Sequence, residues 1–398
     1  LAHRSTPFDM PIASTPRFRL ASLALVSVVT LGASFATRMP STPALPETPY
    51  DYAGAELPLH LQHSSVVRWD NTPDDNPITD AGATLGRVLF YDVRLSRNET
   101  VSCASCHRQE NGFSDPRPLS IGFEGEPTDR NSMALSFARY DRTRRFFWDG
   151  RARTLEDLAL EPIQDPVEMG MTLDELESRL EATDFYPDLF AEAFGTPEVT
   201  SSRVAKALSQ FIRSIVASSS RYDAAREAEE ELFGRPLAGL TAQENRGLEL
   251  FFGEGRCEQC HSGDMFVGNG LLNNGLDSTF TDLGGGGRRD ATGLKTVTGR
   301  GRGAFKTVSL RNVELTAPYM HDGRFATLEE VVDHYSTGVR ISPTLDPRLR
   351  RGGRPIRPAF TDDERAALVA FLRTLTDTTI TTAPRWSDPF APRAPASR

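Results

Sequence analysis

The chain is short of cysteine, histidine and methionine, with four, seven and seven in 398 residues. It also lacks positive charge: the formal net charge is −9, with charged residues at an ordinary 25%. No basic patch is on offer to neutralise phosphates, so nucleic acid is excluded as the expected partner. A basic protein partner remains compatible with an acidic surface. Strand-like alternation is scarce. Long apolar runs are nearly missing too: the one present is "LASLALVSVVTLGASFA", from Leu20 to Ala36. Arg17 and Arg19 precede it, and Ser34 and Ala36 fit the small-residue rule before a cleavage point. Residues 1–36 therefore read as an export signal cleaved after Ala36, with an uncleaved anchor as the alternative. Pro-rich residues beginning at Thr37 read as a linker over 37–66, and residues 381–398 as an irregular tail.

The four cysteines fall as Cys103-Ala104-Ser105-Cys106-His107 and Cys257-Glu258-Gln259-Cys260-His261. This is C-x-x-C-H twice, the attachment pattern of c-type haem. Two thiols on one helical turn reach the two vinyl groups of a porphyrin, and the following histidine faces the iron. A redox disulfide or half a zinc site would not place a histidine after both pairs. Two covalently bound haem c groups are expected.

The motifs are far enough apart for each to own a domain of ordinary size. Their approaches are alike. "TDAGATLGRVLFYD" (79–92) carries an apolar stripe of Leu85, Leu89 and Phe90, and "TAQENRGLELFFG" (241–253) carries Leu248, Phe251 and Phe252. Thr241 and Glu244 have capping-box spacing. Each half closes on a helical pattern: Val204, Leu208, Phe211, Ile212 and Ile215 in one, and Leu368, Phe371, Leu372 and Leu375 behind Thr361/Glu364 in the other. The expected fold is mostly α, with two haem domains and long loops.

An iron bound by one histidine keeps one further axial position, which transfers electrons when filled and binds peroxide or oxygen when open. No histidine lies between residues 108 and 260, and His3 precedes the export signal. Met133, Met169, Met171 and Met265 are the methionines between the halves. His60 and His63 read as solvated. The first haem is therefore expected to be open. The second half offers "APYMHDGRFATLEEVVDHYSTG" (317–338), with Met320, His321, His334 and Tyr335. Thr327 and Glu330 start a helix at Leu328. Leu328, Val331, Val332 and Tyr335 then share one stripe, and His334 lies about 110° from its centre. Periodicity leaves Tyr335 as either a packing aromatic or a group facing the haem.

With these motifs in place, residues from about 75 to 375 resemble the bacterial dihaem cytochrome c peroxidases, which include MauG-like enzymes. The matching stretches are "LGRVLFYDVRLSRNETVSCASCH", "FFWDGRARTLEDLALEPIQDPVEM", "SRYD", "GLELFFGEGRCEQCH", "VSLRNVELTAPYMHDGRFATLEEVVDHY" and "FTDDERAALVAFLRTL". The resemblance implies two tandem class I cytochrome c-like haem domains in the periplasm. Residues 67–232 would be the peroxidatic domain and 233–380 the electron-transfer domain. It implies that Trp148 lies between the haems, that Glu168 is the distal acid, and that Asn131, Thr316 and Pro318 hold a calcium ion. A side-chain amide and two carbonyls are hard donors of the kind calcium takes.

Three departures narrow the reading. Phe123 stands where many of these enzymes have a histidine capping the resting N-terminal haem. Tyr335 stands where the peroxidases have methionine, as in the MauG-like branch. Leu158 stands in place of a distal glutamine. The expected activity is reduction of hydrogen peroxide with electrons from a small cytochrome c or cupredoxin. The alternatives are a MauG-like oxidase that modifies a partner protein through a high-valent dihaem state, and a non-enzymatic dihaem electron carrier.

Overall fold

Helices begin where a capping side chain meets an apolar stripe. The computed structural model describes residues 42–228, 234–268, 270–287 and 301–390, and these are mostly helical, with strands of only two residues. Thr79 caps α1 (Asp80–Tyr91) and Thr154 caps α2 (Leu155–Gln164). The helices α3 (Leu173–Glu181), α4 (Tyr186–Phe194), α5 (Ser201–Ser214) and α6 (Arg221–Glu227) complete the first half. In the second half, α7 (Ala242–Phe252), α8 (Leu328–Asp333) and α9 (Asp362–Arg373) each carry the expected capping box, at Thr241/Glu244, Thr327/Glu330 and Thr361/Glu364. A small antiparallel pair joins β1 (Leu271–Leu272) to β2 (Phe305–Lys306).

The same helix crossing occurs twice. In α1 a Cβ on Gly86 would lie 2.0 Å from Ala207 O and 2.8 Å from Phe211 Cβ of α5. In α7 a Cβ on Gly247 would lie 2.0 Å from Ala367 O and 2.7 Å from Phe371 Cβ of α9. Glycine alone permits backbones to approach so closely. The expected stripes on α5 and α9 are buried throughout, as are Leu85, Leu89, Phe90, Leu248 and Phe251. They form two main cores, and the chain crosses between them: Tyr222 and Ala225 of α6 pack into the second, and Ile380, Trp386 and Phe390 into the first. A third cluster draws Leu61, Val66, Phe137, Tyr140 and Val216 against Met265 and Val267.

Three segments depart from expectation. The described part of the Pro-rich linker is packed: Tyr52 and Leu61 are buried, and Tyr52 N donates to Asp80 Oδ1 at 2.8 Å. The tail is anchored as far as Phe390, because Trp386 and Phe390 enter the first core and Tyr91 Oη donates to Trp386 O at 2.6 Å. A few apolar residues set among prolines suffice for this, and composition conceals them. His60 is not solvated. Its Nε2 meets Asp223 Oδ1 at 2.9 Å with a side chain 5% exposed, whereas His63 stays exposed and caps a short turn. Asp223 also pairs with buried Arg311 at 2.8 Å, whose second partner is Asp264 O. A buried guanidinium requires such pairing. The expected export signal lies outside the described residues. Among the described residues no helix is long and apolar enough to cross a membrane.

Candidate functional site: two Cys-x-x-Cys-His centres

Each motif is one tight turn, with His107 N donating to Cys103 O and His261 N to Cys257 O, both at 2.9 Å. A bridged loop follows each, Arg108 with Ser114 and Ser262 with Val267. Each loop returns a carbonyl to the imidazole. His107 Nδ1 faces Phe113 O at 3.1 Å, and His261 Nδ1 faces Val308 O at 3.1 Å and Phe266 O at 3.3 Å. Burial pushes both histidines down, His261 to about 4, so both rings are neutral. A carbonyl only accepts, so the proton sits on Nδ1 and the Nε2 lone pair is left for a metal. No disulfide joins any of the four cysteines. Burial lifts the thiols of Cys103 and Cys257 to about 12 and that of Cys106 to about 11.

Cys103, Cys106 and His107 open on a cavity of about 1280 Å³ that Trp148, Leu158 and Glu168 also line. It exceeds the roughly 300–1,000 Å³ of an ordinary small-ligand pocket. Apolar Phe90, Leu135, Leu155, Leu208 and Ile212 make part of its wall, and Arg130, Lys306 and Arg311 add cations. Two cysteines, a neutral imidazole and apolar walls fit a covalently bound haem, while each of the three cations is already paired with an aspartate.

Glu168 follows α2. Its backbone N donates to Asp165 Oδ1 at 3.1 Å, and its carbonyl accepts from Phe123 N at 3.1 Å. Burial raises its carboxyl to about 7, and the charge of Asp165 adds to the rise. Phe123 itself is buried and is not among the cavity's lining residues. Trp148 Nε1 donates to Asn131 O at 2.8 Å, and its own carbonyl accepts from Lys306 N at 2.8 Å. Lys306 in turn pairs with Asp141 at 2.5 Å.

Asn131 also meets the opening of the 317–338 stretch, with its backbone N on His321 O at 2.8 Å. Its Nδ2 donates to Arg117 O and Pro118 O, so Oδ1 points away from that turn. The structure brings Asn131 to the segment that follows Thr316 and Pro318. No hydrogen bond joins the three.

Around the second motif, α8 runs into a wider π turn, His334–Gly338. Such turns cluster at functional sites, and the 100° step of an α-helix no longer applies there. Tyr335 is half-buried, its phenol feels the charges of Cys260 and Cys257, and desolvation pushes it to about 12. Its Oη accepts from Asn274 Nδ2 at 3.2 Å. The same Nδ2 reaches Met320 Sδ at 3.5 Å, and Asn274 O accepts from His334 Nε2 at 3.1 Å. His321 lies apart, buried and stacked on Phe305 with centroids 3.6 Å apart. Asn274 carries no ligand signature in "LLNNGL", and periodicity had no means to select it. Lys306 was missed for the same reason.

This geometry belongs to a known class. The profile of the di-haem cytochrome c peroxidase family matches residues 80–231. The methylamine utilization protein MauG of Methylorubrum extorquens is 38% identical over 304 residues, covering 76% of this chain and 80% of that protein. The cytochrome c551 peroxidase of Nitrosomonas europaea is 35% identical over 295 residues, covering 74% and 79%. The chain belongs to the di-haem cytochrome c peroxidase family and is an oxidoreductase of that family. Family membership implies two haem c groups.

Among solved structures, a MauG-like protein associated with microbial copper homeostasis aligns with TM-score 0.67 at 37% identity, over 80% of this chain and 96% of that one. The dihaem peroxidase BthA of Burkholderia thailandensis shares the fold, with TM-score 0.63 at 24% identity, over 88% and 95%.

Proposed function

We propose that the protein is an exported, periplasmic dihaem c-type peroxidase. It reduces hydrogen peroxide at an open N-terminal haem, with electrons passed through the C-terminal haem from a small cytochrome c or cupredoxin. In this reading residues 67–232 and 233–380 are tandem class I cytochrome c-like domains. Cys103 and Cys106 hold one porphyrin, and Cys257 and Cys260 hold the other. His107, His261 and Tyr335 would bind the haem irons, and Asn131, Thr316 and Pro318 would hold calcium. One observation carries the reading: His107 shares a cavity with a half-buried glutamate whose carboxyl is raised to about 7.

When bound, the iron at His107 supplies the electrons that split the O–O bond, turning one peroxide, two electrons and two protons into two waters. The chain's own residues manage the protons. Glu168, about half ionised at neutral pH, takes a proton from the near oxygen and returns it to the leaving one. Leu158 offers no hydrogen bond, so this work falls on Glu168. Trp148 is held at its N–H and its carbonyl by residues of both halves, which fixes the indole for electron passage.

Tyr335 favours a second reading, a MauG-like oxidase acting on residues of a partner protein. A phenolate is a hard anionic donor that stabilises ferric and higher states, whereas a thioether raises the potential. One experiment separates the two. The protein is taken from the periplasmic fraction, its N-terminus is read, and peroxide consumption is followed with reduced cytochrome c. Steady turnover and a start after Ala36 are expected. Peroxide consumed only when a co-purified protein is oxidised would give preference to the second reading.

A further inference from the structure

Asn274 lies in the loop after β1, far in sequence from the stretch that supplies Tyr335. Three of the four metal-ligating side chains of that stretch converge on it. A primary amide has two N–H donors, and here the nitrogen has two acceptors, Tyr335 Oη at 3.2 Å and Met320 Sδ at 3.5 Å. The backbone carbonyl of the same residue accepts from His334 Nε2 at 3.1 Å. The π turn makes this double grip available, because consecutive residues His334 and Tyr335 meet the main chain and the side chain of one partner. Met320 is held at φ 75°, a left-handed conformation uncommon for a residue with a side chain. Its sulfur rests on the amide in that conformation.

We propose that Asn274 is a positioning residue for the second haem: its amide holds the Tyr335 oxygen and draws charge from it, while Met320 braces the amide and His334 holds the backbone carbonyl of the same residue. This rests on the reading of Tyr335 as an axial ligand and deepens it. A hydrogen bond to an anionic oxygen is charge-assisted and stabilises that charge. A phenolate relieved in this way donates less to iron, so the ferric state is stabilised less. Partners in the layer around a metal's ligands tune it as the ligands do. Met320 and His334 thereby acquire a task that needs no bond to iron.

The test uses the full-length holoprotein. Asn274→Leu keeps the side chain's shape and removes both donors. The expected result is a lower midpoint potential for the second haem and a phenolate-to-iron absorption moved to longer wavelength. Haem content and the signal of the first haem stay unchanged. A second measurement needs no variant: in the wild-type protein the iron–phenolate vibration shifts on exchange into D₂O. An unchanged potential in Asn274→Leu or an absent isotope shift would each overturn the proposal. Tyr335→Phe serves as the separate control. If it leaves the second haem's spectrum unchanged, the ligand reading itself fails. If it abolishes the phenolate band while Asn274→Leu does nothing, only the inference about Asn274 fails.

Discussion

Glu168 owes its pKa near 7 to burial first and to the charge of Asp165 second. The sign has two consequences. Between the ordinary 4.5 and about 7 the folded protein keeps a proton that the unfolded chain has released. The stability this group contributes is therefore complete below the lower value and lost as pH rises through the upper one. Catalysis runs the other way, because the ionised form is the one that accepts peroxide's proton. We expect kcat/KM for peroxide to rise with pH through an inflection near 7. Glu168→Gln should remove the inflection and lower kcat/KM by about 10²–10⁴-fold. A pH profile that keeps its inflection in that variant would assign the titration elsewhere. The identity of Glu168 as a site residue came from the family resemblance; its pKa depends on how deeply the fold buries it.

The two halves reuse one pair of crossing helices, and glycine sets the distance between them. Replacing Gly86 or Gly247 by alanine would force a methyl to 2.0 Å from a backbone carbonyl. Overpacking of this kind costs about 1–3 kcal/mol, and two backbones leave little room to relax. Each substitution should lower the thermal midpoint, and differential scanning of the holoprotein would read it. An unchanged midpoint for both would mean that the helices separate freely. At this scale the sequence was most legible. Capping boxes at Thr241, Thr327 and Thr361 mark helix starts because the signal is local, needing only two side chains and two backbone N–H groups. The phase of α8 was less secure, since the chain widens into a π turn where tertiary contacts of His334 and Tyr335 take over.

Across the whole molecule, Trp148 is set by partners from both halves. Asn131 ties it to the 317–338 stretch and Lys306 ties it to β2. A calcium ion at Asn131, Thr316 and Pro318 would stiffen this joint. Chelator treatment should then slow peroxide turnover by on the order of 10²-fold, the cost of about 1 Å of misplacement, and added calcium should restore it. Calorimetry showing no calcium uptake by the chelated protein would remove the ion from the account. The tail shows the limit of composition as a guide. Trp386 and Phe390 cross back to the first core although their neighbours are prolines and charges.

The sequence by itself determined the two Cys-x-x-Cys-His motifs, the mostly helical class and the residues that start the main helices. Each of these is written in a short window, where a few bonds along the chain settle the outcome. Only the tertiary structure decided which buried groups meet. It paired His60 with Asp223, anchored the linker and the tail, raised the Glu168 carboxyl, and gathered Met320, His334 and Tyr335 on Asn274. Burial and hydrogen-bond partnership join residues distant in the chain, and no local pattern records them.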